Sequence, residues 1–252
     1  MRFLLLLAMT VGLVAGVFLY QGRFEARLVR ADPDSLVQDP TVMRVAIDAG
    51  APQYQSHCAS CHGATGQGST ERSIPNLRDQ DWLYGSGQPA ELERIVEYGI
   101  RSHHPKAWNL ARMPAYARAQ PSATEPNLPP LGPGQIRDVV EYLHYLQQHP
   151  ADDAAAVRGA KLYGDVGGCY DCHGADARGD PAIGAPNLTD AITLYGDGGR
   201  QALFDSIAYG RQGVCPAWIG KITAAGIREI ALYVYSLSHQ EPARAAQPEA
   251  NR

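Results

Sequence analysis

The pentapeptides CASCH (58–62) and CYDCH (169–173) are two copies of one pattern, and a shift of 111 residues superimposes them. The same shift lays PNL at 75–77 on PNL at 186–188, LYG at 83–85 on LYG at 194–196, and YG at 98–99 on YG at 209–210. After Gly99 the first copy carries nine extra residues within IRSHHPKAWNLAR, and MPAY (113–116) then meets CPAW (215–218). A second insertion, ARAQPSATEPNLPPLGPG, follows before IRDVVEYLHYL (136–146) meets IREIALYVYSL (227–237). A duplication of this extent constrains the chain to two homologous domains.

Each copy reads as a small helical unit. A short helix leads into the Cys-x-x-Cys-His motif, and a Gly- and Pro-rich loop follows it. A middle helix comes next (PAELERIVEYG or RQALFDSIAYG), with apolar residues at helical spacing. The closing helix places Ile136, Val139, Val140 and Leu143, or Ile227, Ile230, Ala231 and Val234, on one face. No strand-like alternation of any length occurs, so the expected fold is all-α.

Cys-x-x-Cys-His spacing sets two thiols one helical turn apart with an imidazole directly after them. Two thioether bonds to a haem's vinyl groups need that separation, and the histidine then lies under the iron. Zinc would call for further paired ligands, and a thioredoxin-like dithiol for a βαβ context; neither suggests itself. Cys58, Cys61, Cys169 and Cys172 are thus read as attachment sites for two haem c groups. His62 and His173 are read as the proximal iron ligands. The fold expected is an N-terminal transmembrane anchor followed by two tandem class I cytochrome c-like domains.

The second axial ligand separates the copies. The four methionines are Met1, Met9, Met43 and Met113, and Met113 in RMPAY is the expected sixth ligand of the first haem. His103 and His104, in the nine-residue insertion, are rivals that read more simply as surface loop. No methionine follows Met113, and the residue aligned with it is Cys215. Cys215 is the candidate sixth ligand of the second haem. Small buried hydrophobe, disulfide partner of another chain, or bystander to an iron left open or bound by His239 or Lys221 are the alternatives. Tyr84 and Tyr195 occupy matching places, as packing residues or haem-propionate donors. Trp108 and Trp218 read as packing or haem-edge aromatics, His57 as a haem-edge or exposed residue, and Asn76 and Asn187 as loop-fixing residues.

The 252 residues carry a net charge of −4, which offers no reason to propose nucleic acid as a partner. Phe3 to Gly22 is uncharged, and at roughly 1.5 Å per residue spans about 30 Å as a helix, enough to cross a bilayer. The segment 1–22 is read as a retained membrane anchor, with a cleaved signal peptide as the alternative. Arg23, Arg27 and Arg30 follow the span and Arg2 alone precedes it, a charge bias that runs against the orientation required. Covalent haem attachment takes place outside the cytoplasm and outweighs it. The haem domains are expected in the periplasm, tethered to the inner membrane. Residues 23–46 are expected as an irregular tether, 47–149 and 150–240 as the two domains, and 241–252 as a polar tail.

The run CHG…G…PNLTD…LYG…I…GR.G..PAW resembles the haem domains of the dihaem subunit of cbb3-type cytochrome c oxidase, the FixP or CcoP family. The resemblance covers roughly 50–240 and is closest over 169–218. It implies a membrane-tethered electron carrier that passes electrons from soluble donors to a respiratory complex. Its partners would be redox proteins and membrane oxidase or reductase subunits. Carried over, Cys58, Cys61, His62 and Met113 serve the first haem, and Cys169, Cys172 and His173 the second. The family's second methionine is Cys215 here. A second resemblance, to dihaem thiosulfate dehydrogenases with one His/Cys and one His/Met haem, implies an enzyme oxidising sulfur compounds. A third reading is gas sensing at an open second haem. No acid–base pair or nucleophilic triad suggests itself, which favours the carrier.

Overall fold

The computed structural model describes residues 2–119 and 128–239; the expected polar tail at 241–252 lies outside the described residues. The elements are helices: α1 Arg2–Arg30, α2 Pro33–Leu36, α3 Pro40–His57, α4 Ala59–His62, α5 Pro89–Tyr98, α6 Pro133–Leu146, α7 Asp153–Gly164, α8 Tyr170–His173, α9 Arg200–Tyr209 and α10 Ala224–Ser238. Among the described residues β pairing is confined to isolated bridges.

The sequence predicts that each copy folds on itself. Instead, the copies exchange their terminal helices. α10, which closes the second copy, packs on α3 and α5 of the first; α6, which closes the first, packs on α7 and α9 of the second. The first unit's core joins Tyr54 and Leu92 to Ile230, Ala231 and Val234. The second joins Ile136, Val139, Val140 and Leu143 to Ile207 and Ala208. Each unit therefore draws on both of the stretches 47–149 and 150–240.

Glycine sets the closeness of each helix crossing. Gly50 of α3 lies against the Glu229 carbonyl of α10, and Gly159 of α7 against the Asp138 carbonyl of α6, so a Cβ at either position would collide with backbone. Around the α6–α7 crossing, Arg158 forms a fork on Asp138, with Nε–Oδ2 at 2.8 Å and Nη2–Oδ1 at 2.6 Å.

The crossing strands follow Gly99 and Gly210, whose φ values of 77° and 71° are left-handed and favour glycine. Beyond them Ile100 pairs antiparallel with Cys215, and Arg211 with Met113. Tyr116 and Ala117 donate backbone N–H groups to Ile207 and Ala208, while Trp218 and Ile219 donate to Val96 and Glu97. Gly85 N–H donates to Pro181 O, and Gly196 N–H to Thr70 O. These contacts come in pairs related by the repeat, which makes the interface pseudo-two-fold.

Residues 23–46, expected as an irregular tether, are largely helical and docked. Leu28, Leu36, Val42 and Ala46 are buried with Leu232 of α10. Arg228 of α10 explains why. Its side chain is 6% exposed; Nη1 donates to the carbonyls of Leu28 and Ala31 at 2.8 and 3.0 Å, and Nε to Glu93 Oε2 at 2.6 Å. It caps the end of α1 while pairing with α5. Arg228→Leu strands a half-buried carboxylate and two carbonyls. A loss of about 2–3 kcal/mol in denaturant unfolding is expected, and a change within half of one kcal/mol would contradict this role.

Glu141 of α6 ties three helices together. It accepts from Arg200 at the start of α9 and from the Asp152 N–H at the start of α7. The bond to Arg200 is the main reason its carboxyl is held down at about 2. A depressed folded pKa stabilises above the unfolded value of about 4.3, and that contribution drains as pH falls towards the folded value. Glu141→Gln should therefore lower the melting midpoint more at pH 7 than at pH 3; equal losses at both would contradict it.

Among the described residues no helix is long and apolar enough to cross a membrane.

Candidate haem sites

Each Cys-x-x-Cys-His motif forms one turn after a longer helix, α4 after α3 and α8 closely after α7. The turn is fixed from outside by a tyrosine. Tyr54 Oη donates to Gly63 O at 2.8 Å and Tyr163 Oη to Gly174 O at 2.7 Å, in each case the residue directly after the histidine. None of the five cysteines forms a disulfide. Burial pushes Cys58 up to about 12, with Cys215 and Cys61 adding to it; burial likewise pushes Cys169 to about 11.

The imidazoles are set alike. His62 Nδ1 lies 3.2 Å from Pro75 O, and His173 Nδ1 lies 3.0 Å from Pro186 O. A carbonyl can only accept, so Nδ1 carries the proton and Nε2 keeps its lone pair for a metal. Burial lowers both pKa values, which keeps the rings neutral. Pro75 and Pro186 open the two PNL repeats. In those repeats Asn76 Oδ1 accepts from Arg78 N–H, and Asn187 Oδ1 from Thr189 N–H, the loop-fixing role expected.

The structure does not bring Met113 to the first motif or Cys215 to the second. Met113 packs on the α6–α9 core together with Cys169, Leu188 and Phe204. Three residues on, buried Tyr116 donates to Gly167 O at 2.6 Å, and its own pKa is raised by burial and then by Cys169. Cys215 is half-buried and paired through its backbone with Ile100; burial first, then Cys61, pushes its thiol up to about 11. Trp218, three residues on from Cys215, packs its ring at a tilt of 53° against His57 with centroids 4.9 Å apart. The physical reason is the strand crossing. The residue after each YG turn pairs with the sulfur residue of the other copy, which carries MPAY and CPAW across the two-fold.

The rival ligands lie elsewhere. His103 is exposed, and His104 stacks on Tyr98 at 4.8 Å. His239 stacks on Tyr235 at 3.8 Å beyond α10, and Lys221 Nζ donates to Ala217 O. Tyr84 and Tyr195 meet arginines at the interface. Arg101 Nη1 donates to Tyr84 Oη at 2.5 Å, and the Arg211 guanidinium sits 4.4 Å from the Tyr195 ring. Trp108 Nε1 donates to Ala182 O at 2.7 Å, a packing role across the interface.

Sequence reasoning missed Trp82 and Arg101. Trp82 packs in the first core beside Cys58 and Leu77, and its buried Nε1 has no hydrogen-bond partner. A buried donor left alone is costly unless a ligand completes it. An acceptor such as a haem propionate would complete it, beside two cysteines at thioether spacing and a histidine offering Nε2. The residues present therefore fit the group. Trp82 sits one place before the LYG repeat, where the second copy has Thr193; that asymmetry was the signal available. Arg101 gave no pattern to find, since its partners Tyr84, Ala111 and Gly213 are distant in sequence.

These features define a c-type cytochrome with two haem domains. Residues 47–147 match the family model for cytochrome c, and 154–234 that for cytochrome c oxidase, cbb3-type, subunit III. The chain is 35% identical to the cbb3-type cytochrome c oxidase subunit CcoP of Cereibacter sphaeroides, over 85% of this chain and 69% of that protein. It is 37% identical to CcoP of Rhodobacter capsulatus, over 84% and 69% of the two chains. It is also 37% identical to FixP of Bradyrhizobium sp. strain ORS 278, over 84% and 68%. The chain belongs to the CcoP/FixP family of cbb3-type cytochrome c oxidase subunits, and it carries two covalently bound c-type haems.

Proposed function

We propose that this chain is a membrane-tethered dihaem cytochrome c that passes electrons between periplasmic donors and the core of a cbb3-type oxidase. The paired sites carry the reading: two attachment turns of one pattern, each with a histidine held to present Nε2, lie in two units joined by a pseudo-two-fold interface. Cys58, Cys61, Cys169 and Cys172 would hold the haems, and His62, His173, Met113 and Cys215 would be the iron ligands. Bound there, the haems supply reversible one-electron transfer. The protein holds the groups, sets their potentials and excludes water, and no proton-transfer machinery is required.

α1 is the proposed anchor. Its described side chains include exposed Val11, Leu13, Val14, Leu19 and Tyr20, an apolar surface that a bilayer would cover. With Arg228 clamping its C-terminal end, the haem units would ride on the anchor rather than trail from it.

The test uses the full chain in membranes with and without the oxidase core subunits. Both haems, reduced beforehand, should reoxidise within oxidase turnover when oxygen is admitted, and only when the core is present. Reoxidation independent of the core, together with turnover of thiosulfate by an artificial acceptor, would support the sulfur-oxidising enzyme instead.

A further inference from the structure

We propose that Arg101 is a positioning residue for both haem sites at once. One guanidinium pins the loop of Met113 and the loop of Cys215, so the two distal sulfurs are held, and released, together. The proposal rests on the reading that both sulfurs ligate iron; what it adds is the side chain that keeps them in place.

The hydrogen bonds of Arg101 carry it. Nη1 donates to Ala111 O at 3.1 Å, and Nε donates to Gly213 O at 2.5 Å. Ala111 lies two residues before Met113, and Gly213 two residues before Cys215, so the guanidinium bonds the equivalent carbonyl in each copy of the repeat. It thereby bridges the two units at their pseudo-two-fold interface. The shift of 111 residues places Gln212, an exposed residue, at the position corresponding to Arg101. Arg211, the other arginine of the crossing strands, turns to its own copy instead: it donates to Ser206 Oγ and covers the Tyr195 ring. The clamp is therefore one-sided, although the units it joins are alike.

The first copy builds a seat for this side chain. Arg101 has a φ of 47°, a left-handed conformation that costs a non-glycine residue and persists only where the surroundings impose it. They do so here. Arg101 N–H donates to Trp108 O and Trp108 N–H to Gly99 O, both at 3.0 Å, which closes the inserted stretch into a loop. Trp108 ties that loop to Ala182 O of the second copy, and Arg101 Nη1 also donates to the buried Tyr84 hydroxyl. The insertion that the second copy lacks thus acquires a use. A guanidinium presents its donors in a fixed planar fork and can serve carbonyls of two loops together; an ammonium on a flexible stem cannot reproduce that geometry.

The test titrates the oxidised, full-length protein with imidazole, which competes for the distal position of ferric haem. Electron paramagnetic resonance reads the His/thiolate and His/Met signals separately. In Arg101→Ala both signals should give way at about tenfold less imidazole than in the native protein, the order expected when each loop loses one charged hydrogen bond. Arg101→Lys keeps the charge without the fork, and should titrate close to Arg101→Ala; it also carries the test where the alanine variant fails to mature. Arg228→Leu, destabilised at the junction of α1, α5 and α10, is the reference for a general loss of stability and should titrate like the native protein. Raised sensitivity in one signal alone or in neither, an equal rise in Arg228→Leu, or full restoration by lysine overturns the shared clamp. A native spectrum lacking either the His/thiolate or the His/Met signal overturns the ligand reading instead.

Discussion

Replacing Cys215 with methionine is expected to raise the potential of the haem held by Cys58 and Cys61. The change exchanges an anionic thiolate for a neutral thioether, so the ferric state loses its electrostatic support. Axial ligands move haem potentials over a range of about 0.8 V, and a rise on the order of 0.2–0.4 V is expected here. Steric accommodation is favourable. Met113 already occupies the pseudo-equivalent place with the same backbone pairing, so a methionine side chain is compatible with that loop geometry. The two waves of the native titration should draw together, while the haem held by Cys169 and Cys172 keeps its potential. Movement of the other wave, or of neither, contradicts the assignment.

Gly159→Val should produce the largest loss of stability. Gly159 sits where α7 crosses α6, and the contact its Cβ would make is with the Asp138 carbonyl, a backbone atom that no rotamer can move aside. Tyr142 lies close by and blocks lateral escape. α6 would have to lift from α7, opening the core of Val139, Val140 and Leu143 and displacing Tyr116, which fixes the turn beside Cys169. Overpacking of this kind costs roughly 3 kcal/mol or more. Denaturant unfolding followed by circular dichroism reads the loss. Perturbation of the methionine–iron charge-transfer band would accompany it, because Met113 shares that core. The mirrored change, Gly50→Val, should instead disturb the site of Cys58 through Glu229 and α10. A loss below about 1 kcal/mol for Gly159→Val would mean the crossing is looser than described.

Most of the secondary structure and the plan of two cytochrome c domains were legible in the sequence, because the signals are local. Helical spacing in 136–143 and 227–234 announced two buried faces, and Cys-x-x-Cys-His announced thioether chemistry. What each face is buried against was not legible. α6 and α10 present apolar faces of the same kind to partners of the same kind, since the repeats are homologous, so the pattern satisfies the closed and the exchanged arrangement equally. The deciding contacts are specific to single positions: Asp138 with Arg158, Arg228 with Glu93 and α1, and Arg101 with Tyr84 and Gly213. None has a periodic signature. The stretch 23–46 was misread for a related reason. Its prolines, Pro33 and Pro40, suggested irregular chain, whereas both sit at the first position of a helix, capped by Asp32 and Asp39. The alignment of Cys215 with Met113 was sound as a statement about the duplication. It named the equivalent residue but not the iron that residue would meet.

Electron paramagnetic resonance of the fully oxidised, full-length protein tests the central claim most directly. The account predicts two superposed low-spin ferric signals of equal intensity. One has the narrow anisotropy of a His/thiolate haem and is lost in Cys215→Ala; the other is a His/Met signal that Cys215→Ala leaves unchanged and Met113→Ala removes. Two His/Met-like signals, or a native spectrum that Cys215→Ala leaves untouched, would contradict it.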